Sequence, residues 1–494
     1  MSQPLDSQPR IPSMLDAFIP IIALIAMLST AVVYFGDNSS YGPNQIALLI
    51  AMGIAIIIGL KNGFDWHSGF DWHSIEKAIV NGISLSLSAV LILLAVGSLI
   101  GTWLLSGTVP TLVYFGLQII DPSWFYAAAC VVCGIVAMSI GSSWTTAATV
   151  GVAFIGIATG FEMSTAVTAG AVISGAYFGD KLSPLSETTN LAPAVAGTEL
   201  FAHIRNMLWT TVPSITIALI LFLIIGFDHS GQGTGNTDSI TTLTTTLEAT
   251  YNISALNLIP LAVLLTLAYK KMPAFPAVSV GALIGAVWAV IFQQELIATM
   301  AAEGVEGVKA TIMVVWTAFF DGVTVDTGNA NIDELLSRGG MSSMLNTIWL
   351  VMTALSFGAV LEHLGMLRRF VDAILAAAKS TGSLIASTVA TCIGTNLITA
   401  DQYMAIVMPG RMYKEEYERR GFHPTTLSRT LEDSGTITSP LIPWNTCGAF
   451  MMGALALGSY EYIFYCFFNI INPILAIIYG YAGFKMNKMS EQPA

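Results

Sequence analysis

Five carboxylates sit in sequence otherwise suited to lipid: Asp180 and Glu187 in DKLSPLSETTN, Asp401 after NLITA, and Glu432 and Asp433 in LEDSGTITSPLIPWNT. An acid held away from bulk water is satisfied either by a proton or by a hard cation, so it is a reversible site for which two cations compete. Ionisable residues inside membrane-grade sequence are read as functional by default. Around these acids stand neutral oxygens of the kind a dehydrating cation accepts: Ser142, Ser143 and Thr145; Ser183, Thr188, Thr189 and Asn190; Thr395, Asn396 and Thr399; and Ser434, Thr436, Thr438, Ser439, Asn445 and Thr446. The plainer role for each taken singly is to satisfy the backbone of a broken helix. Lys181 adjoins Asp180, and a pair between them would keep that acid ionised and make it structural. Glu187 and Asp433 have no such neighbour in sequence.

Two copies of one pattern must position these groups. Ser-Pro-Leu occurs in both polar stretches, with Pro184 and Pro440 lying 256 positions apart. Ile140–Ala147 reads like Ile393–Ala400, with Gly141 and Gly394 253 positions apart, so the order and spacing of the motifs fit an internal duplication. In each half a helix is expected to break near its glycine, Gly141 or Gly394, freeing carbonyls and helix-end N–H groups for a ligand. Gly175 and Gly179 are expected to bring two helices close. The stretch between Lys181 and Gly197 is too short for a full span, which predicts re-entrant hairpins near 182–197 and 436–450. Their prolines, Pro184, Pro193, Pro440 and Pro443, lack a donor, so such turns enter a membrane only where protein or water satisfies the remaining backbone.

Composition fixes the surroundings. With 54% apolar and 10% charged residues in 494 positions and a mean hydropathy of +0.71, the chain is excluded from the ordinary soluble enzymes. It reads as an all-α polytopic membrane protein with ten to twelve spans, two inverted repeats, re-entrant hairpins and broken helices. Apolar stretches near 17–35, 44–60, 78–105, 123–140, 145–160, 206–227, 253–269, 274–293, 344–363 and 460–482 supply ten of these spans. The first stretch is too long for a signal peptide and is expected to remain as a helix. The implied organisation is N-terminal helices over 1–77, a first repeat over 78–227, an extracytoplasmic linker with intervening helices over 228–343, a second repeat over 344–484 and a tail over 485–494. Arg411, Lys414, Arg419, Arg420 and Arg429 crowd what reads as one loop, which the positive-inside rule places in the cytoplasm together with Lys485, Lys488 and the C-terminus. The linker over 228–252 has no Lys or Arg and falls outside. The net charge of −12 points to no nucleic-acid partner. The partners expected are the bilayer of the cytoplasmic membrane, sodium and protons, with small carboxylates as the alternative.

The segments GAYFGDKLSPLSETTNLAPAVAGTELFAHIRNMLWTTVPS (175–214) and SRTLEDSGTITSPLIPWNTCGAF (428–450) resemble the signature regions of the NhaC family of sodium/proton antiporters. That resemblance covers nearly the whole chain. It implies exchange of sodium for protons without a cofactor, in a fold of two inverted repeats with a mobile transport region and a scaffold that dimerises. The family also includes a malate/sodium-lactate exchanger, which makes small-carboxylate exchange the second reading.

Other features carry less. Phe178-Gly179-Asp180 lacks the preceding glycine of membrane aspartyl proteases, because position 177 is Tyr, and no His-Glu-x-x-His occurs, so an enzyme is not expected. Cys130, Cys133, Cys392, Cys447 and Cys466 lie in apolar sequence and are expected as packing thiols. The tandem FDWHS at 64–68 and 70–74 reads as a membrane-surface loop, and Asp321, Asp326 and Asp333 as part of a turn.

Overall fold

The computed structural model describes residues 10, 12–62, 72–85, 87–231, 237–270, 272–376, 378–458 and 460–489. Among them the chain is helical throughout, with a single isolated bridge between Phe422 and Lys488. Long apolar runs with few charges can satisfy their backbone in lipid only as helices. Nine helices are long and apolar enough to cross a membrane among the described residues, or ten if Ile240–Thr250 and Ala255–Tyr269, bent by 90°, form one span.

In chain order, α1 (Met14–Phe35), α2 (Pro43–Lys61) and α3 (Trp72–Leu85) form an N-terminal group. Then come α4 (Leu87–Leu105), α5 (Thr108–Ile119), α6 (Phe125–Ile140), α7 (Ser143–Thr146), α8 (Val152–Gly160), α9 (Thr165–Leu182), α10 (Glu187–Ala196) and α11 (Leu200–Gly231). The middle of the chain supplies α12 (Thr237–Thr250), α13 (Ile259–Tyr269), α14 (Ala274–Phe292), α15 (Gln294–Met300), α16 (Gly307–Phe320) and α17 (Ala330–Leu336). The final set is α18 (Leu345–His363), α19 (Met366–Ala376), α20 (Thr381–Thr399), α21 (Met404–Arg419), α22 (Pro424–Leu431), α23 (Thr446–Leu455) and α24 (Phe467–Ala482). The linker after 228 is largely helix among its described residues. Residues 63–71, which hold most of the tandem FDWHS, lie outside the described residues.

Helix ends recur at one constant separation. The N-caps Ser164 and His423 lie 259 positions apart, as do Ser186 and Asn445, the caps of the ten-residue helices α10 and α23. The left-handed ends Gly141 (φ 75°) and Ala400 (φ 56°) keep the same separation, and so do Gly197 (φ 88°) and Ala456 (φ 53°). This differs from the offsets of 253 and 256 given by sequence likeness, and the reason is local. Ser183 is already extended beyond the end of α9, whereas Ser439–Leu441 forms the last helical turn of its half and Ile442 is the extended residue. A π-turn over Glu432–Thr436 accompanies the shift. Gly394, expected at the second break, lies inside α20; glycine is tolerated within a helix, and the break comes at Ala400.

Gly175 and Gly179 bring two helices into close contact, as their spacing suggests. A Cβ at Gly175 would lie 2.0 Å from the Cys130 carbonyl oxygen, and one at Gly179 would lie 2.1 Å from that of Gly134, so α9 lies directly on α6. Packed in this way, α9 is almost wholly enclosed and carries Asp180 and Lys181 into the interior.

Candidate functional site

The first break is built by capping. Ser142 Oγ accepts from the Thr145 amide (3.2 Å) and hydroxyl (3.0 Å), which starts α7 immediately after the left-handed Gly141. Asp401 does the same after Ala400, its Oδ1 accepting from the Met404 amide at 2.8 Å. The hairpins close onto these breaks. Thr446 N donates to Ala400 O (2.9 Å), Asn445 Nδ2 donates to Asn396 Oδ1 (3.0 Å), and Trp144 stacks on Phe450 with centroids 4.2 Å apart.

Between the breaks lies a cavity of about 360 Å3. It brings together Asp180, Glu187 and Asp401 with Ser142, Ser143, Thr145, Thr188 and Thr446, so both halves contribute. Asp180 is anchored by one oxygen: its Oδ2 accepts from the Ser143 amide (3.1 Å) and hydroxyl (2.7 Å), while its buried Oδ1 has no hydrogen-bond partner. Glu187 is exposed and accepts from the Tyr403 hydroxyl, a tie between the two halves.

Glu432 lies deeper. It is fully buried on the π-turn, and neither carboxylate oxygen has a hydrogen-bond partner. Facing it, without making hydrogen bonds, are the Thr188 and Thr436 hydroxyls, with the charges of Asp180 and Lys181 nearby. The Thr436 hydroxyl is itself unpartnered. Desolvated carboxylates gathered in this way are stable only when protonated or when a cation lies among them.

Asp433 departs from the sequence reading. Expected to be free of a basic partner, it is salt-bridged to Lys181, and Thr210 donates to the same oxygen at 3.0 Å. Lys181 therefore pairs with Asp433 instead of its neighbour Asp180, because the end of α9 carries its ammonium across to the second half. Asn472 accepts a further bond from Lys181 at 3.2 Å. Arg429, counted above with the basic loop, is 1% exposed, and its Nε lies 4.0 Å from Asp433 Oδ2. Its Nη1 donates to both Asn206 Oδ1 and Lys485 O, and its Nη2 to Met486 Sδ. Sequence reasoning missed this network, although the spacing of Arg429 and Asp433 by one helical turn could have revealed it.

Most of the other neutral candidates serve the backbone. Thr189 donates to the carbonyls of Asp180 and Lys181, Asn190 to those of Pro184 and Ser186, and Thr395, Thr399, Ser434 and Thr438 to carbonyls four residues back. Ser183 accepts from the Leu185 amide, Ser439 donates to Thr436 O and Gln402, and Asn396 donates to Gly435 O. These groups hold the broken helices and do not line the cavity.

Comparison with known proteins agrees with this architecture. The model of the Na+/H+ antiporter family matches residues 175–484, which include both hairpins. The chain belongs to that family. It is 38% identical to the Na+/H+ antiporter NhaC of Alkalihalophilus pseudofirmus over 444 residues, covering 90% of this chain and 91% of the relative. It is 34% identical to the malate-2H+/Na+-lactate antiporter of Bacillus subtilis over 474 residues, 96% of each. A third relative, the arginine/ornithine antiporter ArcD of Halobacterium salinarum, is 36% identical over 482 residues, covering 96% of this chain and 93% of its own length. The protein is a multi-pass membrane transporter and not an enzyme.

Proposed function

We propose that the protein exchanges Na+ for H+ across the cytoplasmic membrane by alternating access, with Asp180 and Glu432 as the acids that hold either cation. The observation that carries this reading is the orphaned carboxylate of Glu432, buried beside Asp180 with its own unpartnered oxygen. Two desolvated acids repel when both are ionised, so loading a proton or a sodium ion between them is favourable, and loading one excludes the other. Thr188 and Thr436 add neutral oxygens suited to sodium. Asp401 and Glu187 line the approach, and their negative charge raises the local cation concentration. Asp433, already matched by Lys181 and Arg429, ties the two repeats together instead of carrying the ion.

Alternation follows from the paired construction: each break is capped independently, and a rocking of one repeat against the other would open the site to opposite sides. The domain division of the sequence reading, with inverted repeats over 78–227 and 344–484, is part of this proposal, as is a homodimer. The C-terminal segment lies against the basic loop, with His423 N donating to Asn487 O and Met489 N to Gly421 O, which supports a cytoplasmic C-terminus. Small-carboxylate exchange is favoured by the malate/lactate relative, but among the described residues no Lys, Arg or His lines the cavity, and the guanidinium of Arg429 is held elsewhere.

The test is sodium-dependent proton movement in proteoliposomes, followed with a pH-sensitive dye. Glu432→Gln and Asp180→Asn should each reduce it by at least about a hundredfold while the proteins remain folded. Undiminished exchange in Glu432→Gln would remove that residue from the site.

A further inference from the structure

A second cavity, of about 200 Å3, lies apart from the first, between α1, α19 and α20. Its walls include Phe18 and Ile25 of α1 and Leu367, Phe370 and Ile374 of α19. The two hydroxyl residues that border it are committed elsewhere: Thr391 pairs with the Tyr413 hydroxyl at 2.8 Å, and Thr395 donates to Thr391 O at 2.8 Å. An added Cβ at Gly394, which also lines the space, meets nothing within 4 Å. Such a cavity suits neither an ion nor water, since each needs polar partners, and it suits a hydrocarbon. Phe18, Ile25 and Leu397 keep exposed surface on α1 and α20, two helices long and apolar enough to cross a membrane, so the hydrocarbon at hand is lipid.

What selects the lipid is charge. The helix α19 joins two spans, α18 and α20, at one end, and it is amphipathic: Leu367, Phe370 and Ile374 line the cavity, while Arg368, Arg369 and Asp372 take other positions. The basic loop lies at the same end, because Arg420 donates to Ser380 O at 3.0 Å and to Ala378 O in the turn before α20. There Arg419 and Arg420 are matched by Glu416, and Lys61 by Asp16. Arg368 has only an exposed contact of 3.9 Å with Asp372, and Arg369 has no ion pair among the described residues. We propose that this cavity is a site for an anionic phospholipid: one acyl chain enters between α1 and α20, and the phosphate is held by Arg368 and Arg369. The chain reaches Leu397 and Trp444, whose indole donates to Leu397 O at 2.9 Å and so ties the second hairpin to α20 just before the break at Ala400. A filled cavity supports that tie, so the lipid promotes exchange from a place that touches neither the acids nor the ion.

The experiment places the full-length protein in phosphatidylcholine vesicles into which brominated phosphatidylglycerol or brominated phosphatidylcholine is mixed in rising fraction. Bromine on an acyl chain quenches nearby indoles, and the part of the quenching lost in Trp444→Phe reports the cavity. Brominated phosphatidylglycerol should reach half of that quenching at a mole fraction about fivefold or more below that of brominated phosphatidylcholine. Replacing Arg368 and Arg369 together by Gln should abolish the preference, and Gly394→Leu, whose side chain occupies the space, should weaken the quenching of Trp444 by both lipids. Sodium-dependent proton flux in the wild type should rise about threefold or more with unbrominated phosphatidylglycerol and stay flat in the double variant, which meets the same vesicle surface charge. Equal quenching by the two lipids in the wild type, or quenching indifferent to Gly394→Leu, would overturn the site. A change from dimer to monomer in Gly394→Leu would assign the cavity to a contact between copies and overturn it too. Selective quenching with wild-type flux indifferent to the lipid would overturn its role in exchange.

Discussion

Lys181, in the last turn of α9, is salt-bridged to Asp433, 252 positions further along the chain, and both side chains are completely buried. The bridge joins α9 to the π-turn that follows α22. A buried pair contributes little net stability over an apolar replacement, but removing one partner strands the other at about 3–5 kcal/mol. Asp433→Asn strands two cations, Lys181 and Arg429, whereas Lys181→Met leaves Asp433 near Arg429. Asp433→Asn should therefore lower the unfolding midpoint in detergent more than Lys181→Met, and the double variant less than the sum of the two. Strict additivity would mean that the bridge does not couple the halves.

Thr436 and Thr438 differ by one useful property. The Thr436 hydroxyl has no partner, while that of Thr438 donates to Ser434 O at 2.6 Å and accepts from Asn396 at 3.2 Å. Thr436→Val should leave stability unchanged or slightly improved, because an unmatched polar group is removed, and should raise the KM for sodium by about tenfold. Thr438→Val should do the reverse, losing about 1 kcal/mol with little change in KM. Thermal unfolding paired with sodium titration of proton flux separates the two, and equal effects on both variants would remove Thr436 from the ion's path.

The membrane class, the two-part construction and the acids that meet in the cavity were legible in sequence, since composition, repeated motifs and ionisable groups in apolar runs each have a direct physical meaning in a bilayer. What was not legible depended on direction. Lys181 adjoins Asp180 in the chain, yet consecutive residues on a helix point about 100° apart, and the ammonium went to Asp433. Arg429 looked like one more loop charge because nothing before Pro424 marked where the helix would begin. Glu432 stood beside Asp433 with no feature to show that one of the two would be matched and the other left without a partner. The second break was misplaced by six residues, from Ala400 to Gly394, because glycine is a stronger signal in sequence than an alanine held in a left-handed conformation by its surroundings.

The charged end of α21 gives a pH prediction with a definite window. Hydrogen bonds from Arg419, and then the contact with Arg420, pull the Glu416 carboxyl down from its usual 4.5 to about 2. A depressed folded value means that the stabilisation is complete above about pH 4.5 and is lost as the pH falls towards 2. Arg419 is exposed while Glu416 and Arg420 are partly buried at the surface, and solvent screening there keeps the contribution to about 1 kcal/mol or less. Glu416→Gln should consequently leave stability and the transport pH profile unchanged in shape between pH 6 and 9, measured by unfolding scans and dye-monitored exchange. A displaced profile would place this cluster in the proton response.

Three single substitutions distinguish the register of the second break. Gly141 has φ 75°, and an added Cβ would lie 2.7 Å from the Leu185 carbonyl carbon and 2.9 Å from the Ser186 amide, so Gly141→Ala forces the first hairpin away from its break. The left-handed strain alone is about 1–2 kcal/mol, and a clash with backbone adds to it, so a loss of about 3 kcal/mol is expected together with impaired transport. Ala400 is already left-handed, and Ala400→Gly relieves strain of about 1 kcal/mol that the greater freedom of unfolded glycine offsets, leaving stability nearly unchanged. At Gly394 an added Cβ meets nothing within 4 Å and the backbone is helical, so Gly394→Ala should stabilise by about 0.5–1 kcal/mol and spare exchange. Were Gly394 the working hinge, as its likeness to Gly141 suggests, that substitution would damage transport as Gly141→Ala does. Sodium-dependent proton flux normalised to folded protein decides between the two positions.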